Sequence, residues 1–182
     1  MICEQVREAL AELLPTETAE PVTAEETATA PAPESEEETS AAAGDEAAVA
    51  PAPLQVTDYP SKGFHLDITV ASDQVQAAAE ILDRAGFFLE AITGVDWLAD
   101  RQMEVVYDYN NVKELCRVVV RARIAREQPE LPTISRIYPG ADWHERETHD
   151  FFGIVFTGHP HLVPLLLPED ADFHPLRKDY KP

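Results

Sequence analysis

Eleven of the fifteen prolines in this 182-residue chain fall into two stretches, six within residues 15–53 and five within residues 154–182. Each proline fixes φ, removes a hydrogen-bond donor and pushes its predecessor toward extended geometry. Long helices and central strands are thereby confined to residues 54–153, with one short segment, 1–14, standing ahead of the first proline.

The two proline-rich stretches differ in chemistry. Residues 15–53 are Ala, Pro, Glu and Thr with no aromatic and no basic residue. Such a composition buries too little apolar surface to offset chain entropy, so a disordered, self-repelling linker is expected. Thirteen carboxylates against one arginine leave residues 1–53 at −12, and twenty-one against thirteen cations leave residues 54–182 at −8. No cluster of Lys and Arg suits a phosphate backbone, so nucleic acid is not an expected partner. The second stretch, 154–182, has an apolar middle, Leu162–Leu167, and a charged end, Arg177-Lys178-Asp179. It is expected to be an extended subunit-binding arm, either strapped across another protein or wrapped on this domain's own sheet.

Met1–Leu14 places Ile2, Val6, Leu10 and Leu13 at helical spacing and predicts a short amphipathic helix in need of a covering surface. From Leu54 the pattern changes. Phe64–Ala71 alternates as a half-buried strand, and a helix follows with Ser72 or Asp73 as N-cap and Gly86 as its stop. Strands are predicted over "FFLEAITGVDWL", "RQMEVVYDY" and "ELCRVVVRARI", the last two joined at an Asn110-Asn111 turn. A short helix from Pro132-Thr133 to Tyr138 and a second over Trp143–Phe152, capped by Asp142 and ended by Gly153, complete the reading. Intermixed strands and helices point to an α+β domain over 54–153, with helices packed on a mostly antiparallel sheet.

Two cysteines, Cys3 and Cys116, are too few for an iron–sulfur cluster and suggest no disulfide framework, so a reducing compartment is expected. No run of eighteen apolar residues is present to span a membrane, and no basic region followed by an apolar core marks a secretory signal.

The most concentrated chemistry lies in "WHERETHDFFGIVFTGHP", Trp143–Pro160, which holds His144, His149 and His159. "HERETH" looks like a zinc-protease helix, but that motif needs histidines four apart on one face. His144 and His149 are five apart, which at roughly 100° per residue turns the second ring about 140° from the first. A site built from His144, His159 and His174, with Glu145 or Asp150 as base and His161 beside Pro160, stays open as a metalloenzyme reading. On a helix, Arg146 and Asp150 can pair while Glu147 and Asp150 repel, so the acidic face awaits a cation from elsewhere, with Arg177 and Lys178 as candidates.

The ordered blocks Glu145-Arg146-Glu147, Asp150, Phe152-Gly153, Gly158-His159-Pro160, Leu166-Leu167-Pro168-Glu169-Asp170 and His174-Pro175-Leu176-Arg177-Lys178-Asp179-Tyr180 resemble the signature of the 30 kDa subunit of respiratory complex I, the C subunit of bacterial NADH–quinone oxidoreductase. The resemblance covers Leu54–Pro182. It implies a structural subunit of a peripheral arm with no cofactor of its own, in an assembly carrying NADH, FMN, iron–sulfur clusters and quinone on the cytoplasmic side of the plasma membrane. It implies as partners a hydrogenase-like large subunit and iron–sulfur subunits, with Leu165–Leu167 buried on the large subunit and Arg177-Lys178 meeting its carboxylates. Val163-Pro164 stand where the family usually has basic residues, and His149 where it usually has an aromatic or aliphatic residue. The histidine is more like the related subunit of membrane-bound [NiFe] hydrogenases and formate hydrogenlyases, which is the alternative parent assembly.

Overall fold

The computed structural model describes residues 1–14 and 52–181. The linker predicted over 15–53, all but its last two residues, lies outside the described residues. Three helices and a five-stranded sheet dominate. Helix α1 is Ile2–Ala11, strand β1 Leu54–Val56, the single turn α2 Tyr59–Lys62, β2 Leu66–Val70 and α3 Val75–Arg84. Strands β3 Phe88–Trp97, β4 Gln102–Asn111 and β5 Cys116–Ala125 follow, then β6 Glu130–Pro132, α4 Ala141–Phe152 and β7 Val155–Thr157.

The sheet runs β1-β2-β5-β4-β3, with β2 and β5 parallel and every other pair antiparallel. The α+β class read from the sequence is the observed one. Register explains the core. Leu66 pairs with Val118 and Val118 with Tyr109; Ile68 pairs with Val120 and Val120 with Tyr107; Val70 pairs with Ala122 and Ala122 with Val105. All nine are buried, because side chains directly opposite one another in paired strands share a face. Several of the alternate residues, which point the other way, are charged: Arg121 bonds Asp67 at 2.8 Å, and Arg123 reaches Glu104 while lying 5.1 Å above the Trp97 ring.

Helix α1 does not await a foreign surface. Val6 and Leu10 are buried in the domain's own core, with Ile2 and Leu13 packed against it. Both ends are tied as well: the Ile2 N–H donates to Glu114 at 3.2 Å, and Gln74 donates to the Leu13 carbonyl. Cys3 and Cys116 are joined as a disulfide, their Cα atoms 5.9 Å apart, which corrects the reading that the two cysteines suggest no disulfide framework. The pairing was not legible because 113 residues separate them and only the docking of α1 on the sheet brings them together.

Local readings were corrected where side chains took over from caps. Neither Ser72 nor Asp73 caps α3; the Gln74 side chain accepts the Ala71 N–H at 3.0 Å across a 3₁₀ turn. Asn110 and Asn111 remain in β4, and Asn111 Oδ1 builds the turn beyond by accepting the Lys113 and Glu114 N–H groups. Pro132–Tyr138 is not a helix. Its start pairs as β6 with β7, in parallel, and Ile137 and Tyr138 then turn back onto the Ile134 carbonyl. Strand β7 also places regular structure beyond Gly153, where none was expected. Asp142 sits inside the first turn of α4 and makes no cap bond. Gly94 on β3 faces the Phe152 ring so closely that a Cβ there would lie 2.5 Å from Cδ2, which lets α4 settle on the sheet.

Candidate functional site

Helix α4 presents two carboxylates with opposite fates. Glu145 is fully buried, its two oxygens accepting the Thr133 hydroxyl and, at 2.8 Å, the Ile134 N–H. Burial pushes its pKa up to about 7, against the lowering effect of those two bonds, with Asp142 nearby adding to the rise. The carboxyl thus anchors the turn before α4 to the helix. His159, its side chain also fully buried, lies 3.8 Å from Glu145 and 3.2 Å from Asp142. Its Nδ1 accepts the His161 N–H at 3.0 Å, which leaves the ring proton on Nε2 in the neutral form.

Asp150 faces the arm. One of its carboxylate oxygens accepts three consecutive backbone N–H groups, Leu165 at 2.8 Å, Leu166 at 2.7 Å and Leu167 at 3.2 Å. Burial raises its pKa, but the three bonds prevail and hold the carboxyl below its ordinary value. Arg146, one turn back, donates to the carbonyls of Val163 and Pro164, both at 3.0 Å, and lies 5.7 Å over the Trp143 ring. Arg146 and Asp150 therefore do not pair with one another, contrary to what their spacing suggests. One grips the arm's acceptors and the other its donors, so the backbone is held from both sides.

The arm in turn completes the helix. An α-helix ends with carbonyls that lack intrahelical partners. Here His174 Nδ1 donates to the Asp150 carbonyl at 2.8 Å, the Leu176 N–H to Phe151 at 3.2 Å and Arg177 Nε to Phe152 at 2.7 Å. A cation at this end also opposes the helix dipole. Gly153 makes room: its φ of 72° is left-handed, and a Cβ there would overlap His174 and Arg177. His149 Nδ1 bonds the Ile154 carbonyl at 2.9 Å. Arg177 and Lys178 are thus not the counter-ions of the Glu147–Asp150 face. Glu147 is exposed, and the Lys178 N–H donates to Asp96 Oδ2 at 2.8 Å.

That last contact belongs to a network sequence reasoning missed. Arg126 binds both oxygens of Asp96, at 2.8 and 3.1 Å, and reaches Asp179 at 2.6 Å. The Arg126 hydrogen bond holds the Asp96 carboxyl below its ordinary value. The end of the arm is therefore pinned to the tips of β3 and β5. Asp96 and Arg126 are thirty residues apart, so no local pattern could have paired them.

The histidines are not gathered. His144, His159 and His174 do not converge. Among the described residues the one trio of His, Cys, Asp or Glu atoms within metal reach is Cys3, His65 and Cys116. Of the remaining predicted residues, Pro160 and Gly158 shape the turn after β7, where Gly158 has a φ of 81°. Pro168 and Leu166 are exposed, Leu165 and Leu167 half-buried, and Pro175 half-buried in the helix-capping segment. Leu166 is 61 % exposed and Leu176 52 % on the tethered arm, and Trp143 on α4 is 61 % exposed.

An α+β domain whose last helix is capped by its own C-terminal arm is the class of protein this site defines. The chain belongs to the family described as the respiratory-chain NADH dehydrogenase, 30 Kd subunit, whose model matches residues 68–182. It is 46 % identical over 93 residues to the C subunit of the NADH-quinone oxidoreductase of Roseiflexus castenholzii, covering 50 % of this chain and 53 % of the relative. It is 42 % identical over 120 residues to the corresponding protein of Herpetosiphon aurantiacus, covering 63 % and 70 %. The matched part thus spans about half the length of the first of these relatives. A chain in the structure of the membrane-bound sulfane sulfur reductase, an archaeal respiratory membrane complex, superimposes with a TM-score of 0.59 at 31 % identity, covering 64 % of this chain and 71 % of that one. Among the described residues no helix is long and apolar enough to cross a membrane.

Proposed function

We propose that this chain is a non-catalytic structural subunit of the peripheral arm of an NADH–quinone oxidoreductase assembly, supporting electron transfer from NADH to quinone at the cytoplasmic face of the membrane. NADH, FMN, iron–sulfur clusters and quinone are held by other subunits; two cysteines fall short of a four-thiolate cluster. The observation that carries this reading is the use made of the polar motif residues. Asp150, Arg146, His174 and Arg177 are engaged with main-chain groups, so they shape the arm rather than react. What α4 and the shaped arm leave outside are exposed apolar side chains, Trp143 on the helix and Leu166 and Leu176 on the arm, which suit an apolar partner surface such as a hydrogenase-like large subunit flanked by iron–sulfur subunits.

The test is co-expression with the other peripheral-arm subunits. Leu166→Asp combined with Leu176→Asp is expected to abolish co-purification with the large subunit while the circular dichroism of the isolated chain stays unchanged. Normal assembly of that variant overturns the reading. A second parent, a hydrogenase-type membrane complex, is favoured by the likeness to the sulfane sulfur reductase chain. Flavin content and NADH oxidation by a complex purified through this chain separate the two.

A further inference from the structure

We propose that the Cys3–Cys116 pair is a reversible thiol–disulfide exchange site, entered at Cys3 by a small peptide thiol, that fastens α1 to β5. Four observations converge on it. The Cα separation of 5.9 Å lies within the usual disulfide range. Helix α1 is held without the bond, by buried Val6 and Leu10 and by the Glu114 and Gln74 hydrogen bonds at its ends. Reduction therefore leaves the two sulfurs facing each other, and reclosure does not have to gather a free 113-residue loop. The two residues also differ in access: Cys116 is fully buried, whereas Cys3 is partly exposed and lines a cleft of about 200 Å³ together with Glu4, Arg7 and His65. The chain has only two cysteines, so exchange has a single intramolecular outcome.

His65, within 4.8 Å of both sulfurs, makes the trio resemble a cation site. Its Nδ1, however, accepts the Arg117 N–H at 3.0 Å. A metal-bound imidazole normally donates from its second nitrogen, and here one nitrogen is already fixed as an acceptor. Sulfur–sulfur chemistry fits this ring better than coordination does.

The reaction balances as two exchanges. An external thiolate attacks Cys3 Sγ, the protein S–S bond breaks, and Cys116 leaves as a thiolate that takes up a proton. A second thiolate attacks the external sulfur of the mixed disulfide, releasing Cys3 as its thiol and a low-molecular-weight disulfide. The protein gains two electrons and two protons, supplied by the two thiols; closure runs the same steps backward with that disulfide as oxidant.

The full-length protein, equilibrated in mixtures of reduced and oxidised glutathione and read by intact mass after alkylation, tests this. One transition is expected between the free dithiol and a form two hydrogens lighter, with no lasting glutathione adduct. Cys116→Ala should retain one glutathione on Cys3, and Cys3→Ala should stay unmodified. Leu10→Asp, which unseats α1, should slow ring closure about tenfold or more and accumulate the adduct, because it removes the effective concentration set by docking. The proposal is overturned if both thiols persist in excess oxidised glutathione, if both single variants are modified equally, if Leu10→Asp closes at the wild-type rate, or if the reduced protein retains one zinc per chain.

Discussion

The two terminal segments of the described chain are both fastened to the domain, by opposite means. Helix α1 hides its side chains: Val6 and Leu10 enter the core, and hydrogen bonds act only at its ends. Over Val163–Leu167 the C-terminal arm is held by its backbone, with Asp150 gripping its amides and Arg146 its carbonyls, and Leu166 stays outside; only farther on do His174, Arg177 and Asp179 add side-chain bonds. A segment tied through side chains has finished its packing. One tied through its main chain keeps its side chains available, which is what a docking strip requires.

Breaking the first attachment should have the largest effect. Leu10→Ala leaves a cavity where no atom is exposed, and a loss of about 2–5 kcal/mol in denaturant unfolding is expected. A loss under about 0.5 kcal/mol would mean that the apolar seat is not what holds α1.

The two buried carboxylates of α4, Glu145 and Asp150, sharpen the contrast next. Glu145 has its pKa raised from 4.5 to about 7 in the folded state. The native protein then binds the extra proton, so the associated stability is full below the unfolded value and fades as pH climbs through about 7. The full difference is on the order of 3 kcal/mol. Glu145→Gln should flatten this part of the stability profile between pH 5 and about 8; an unchanged slope would place the proton elsewhere. Asp150 has the reverse sign: its pKa is lowered, so its contribution is present above the ordinary carboxylate range and lost in acid.

Asp150→Ala should cost about 2–3 kcal/mol, because three N–H groups lose a charged acceptor. Hydrogen exchange at Leu165–Leu167 should rise while α1 keeps its protection. Loss of protection in both segments would show that they are not independent attachments. The smallest effect is expected at Leu166. Leu166→Ala should change the isolated domain's stability by less than about 0.5 kcal/mol, since the side chain is mostly in solvent. A larger loss would mean that the leucine packs within this chain and is not free for a partner.

Much was legible where the pattern was periodic. The strands read over Phe64–Ala71, Arg101–Tyr109 and Glu114–Ile124 overlap β2, β4 and β5, the first of them from alternation, and Gly86 and Gly153 end their helices with φ of 75° and 72°. The motif blocks that place the chain in its family were also readable, because they are contiguous in sequence. Pro132–Tyr138 was misread because its strand exists only through pairing with β7, a partner over twenty residues away. The acidic face of α4 was misread for a related reason: counter-charge was sought where the actual partners are backbone N–H groups, which every residue but proline carries and no composition reveals.

The sequence by itself determined the strand segments, the glycine stops of two helices and the family, all properties of neighbours along one chain. Only the tertiary structure decided that Cys3 meets Cys116, that Asp96 binds Arg126, and that the arm caps the helix whose carboxylate holds it. Local periodicity arises from fixed backbone geometry and survives any change of distant context. Long-range pairs arise from how packed layers happen to superpose distant segments, and a hydrogen bond or a disulfide forms only after that packing has brought its two ends together.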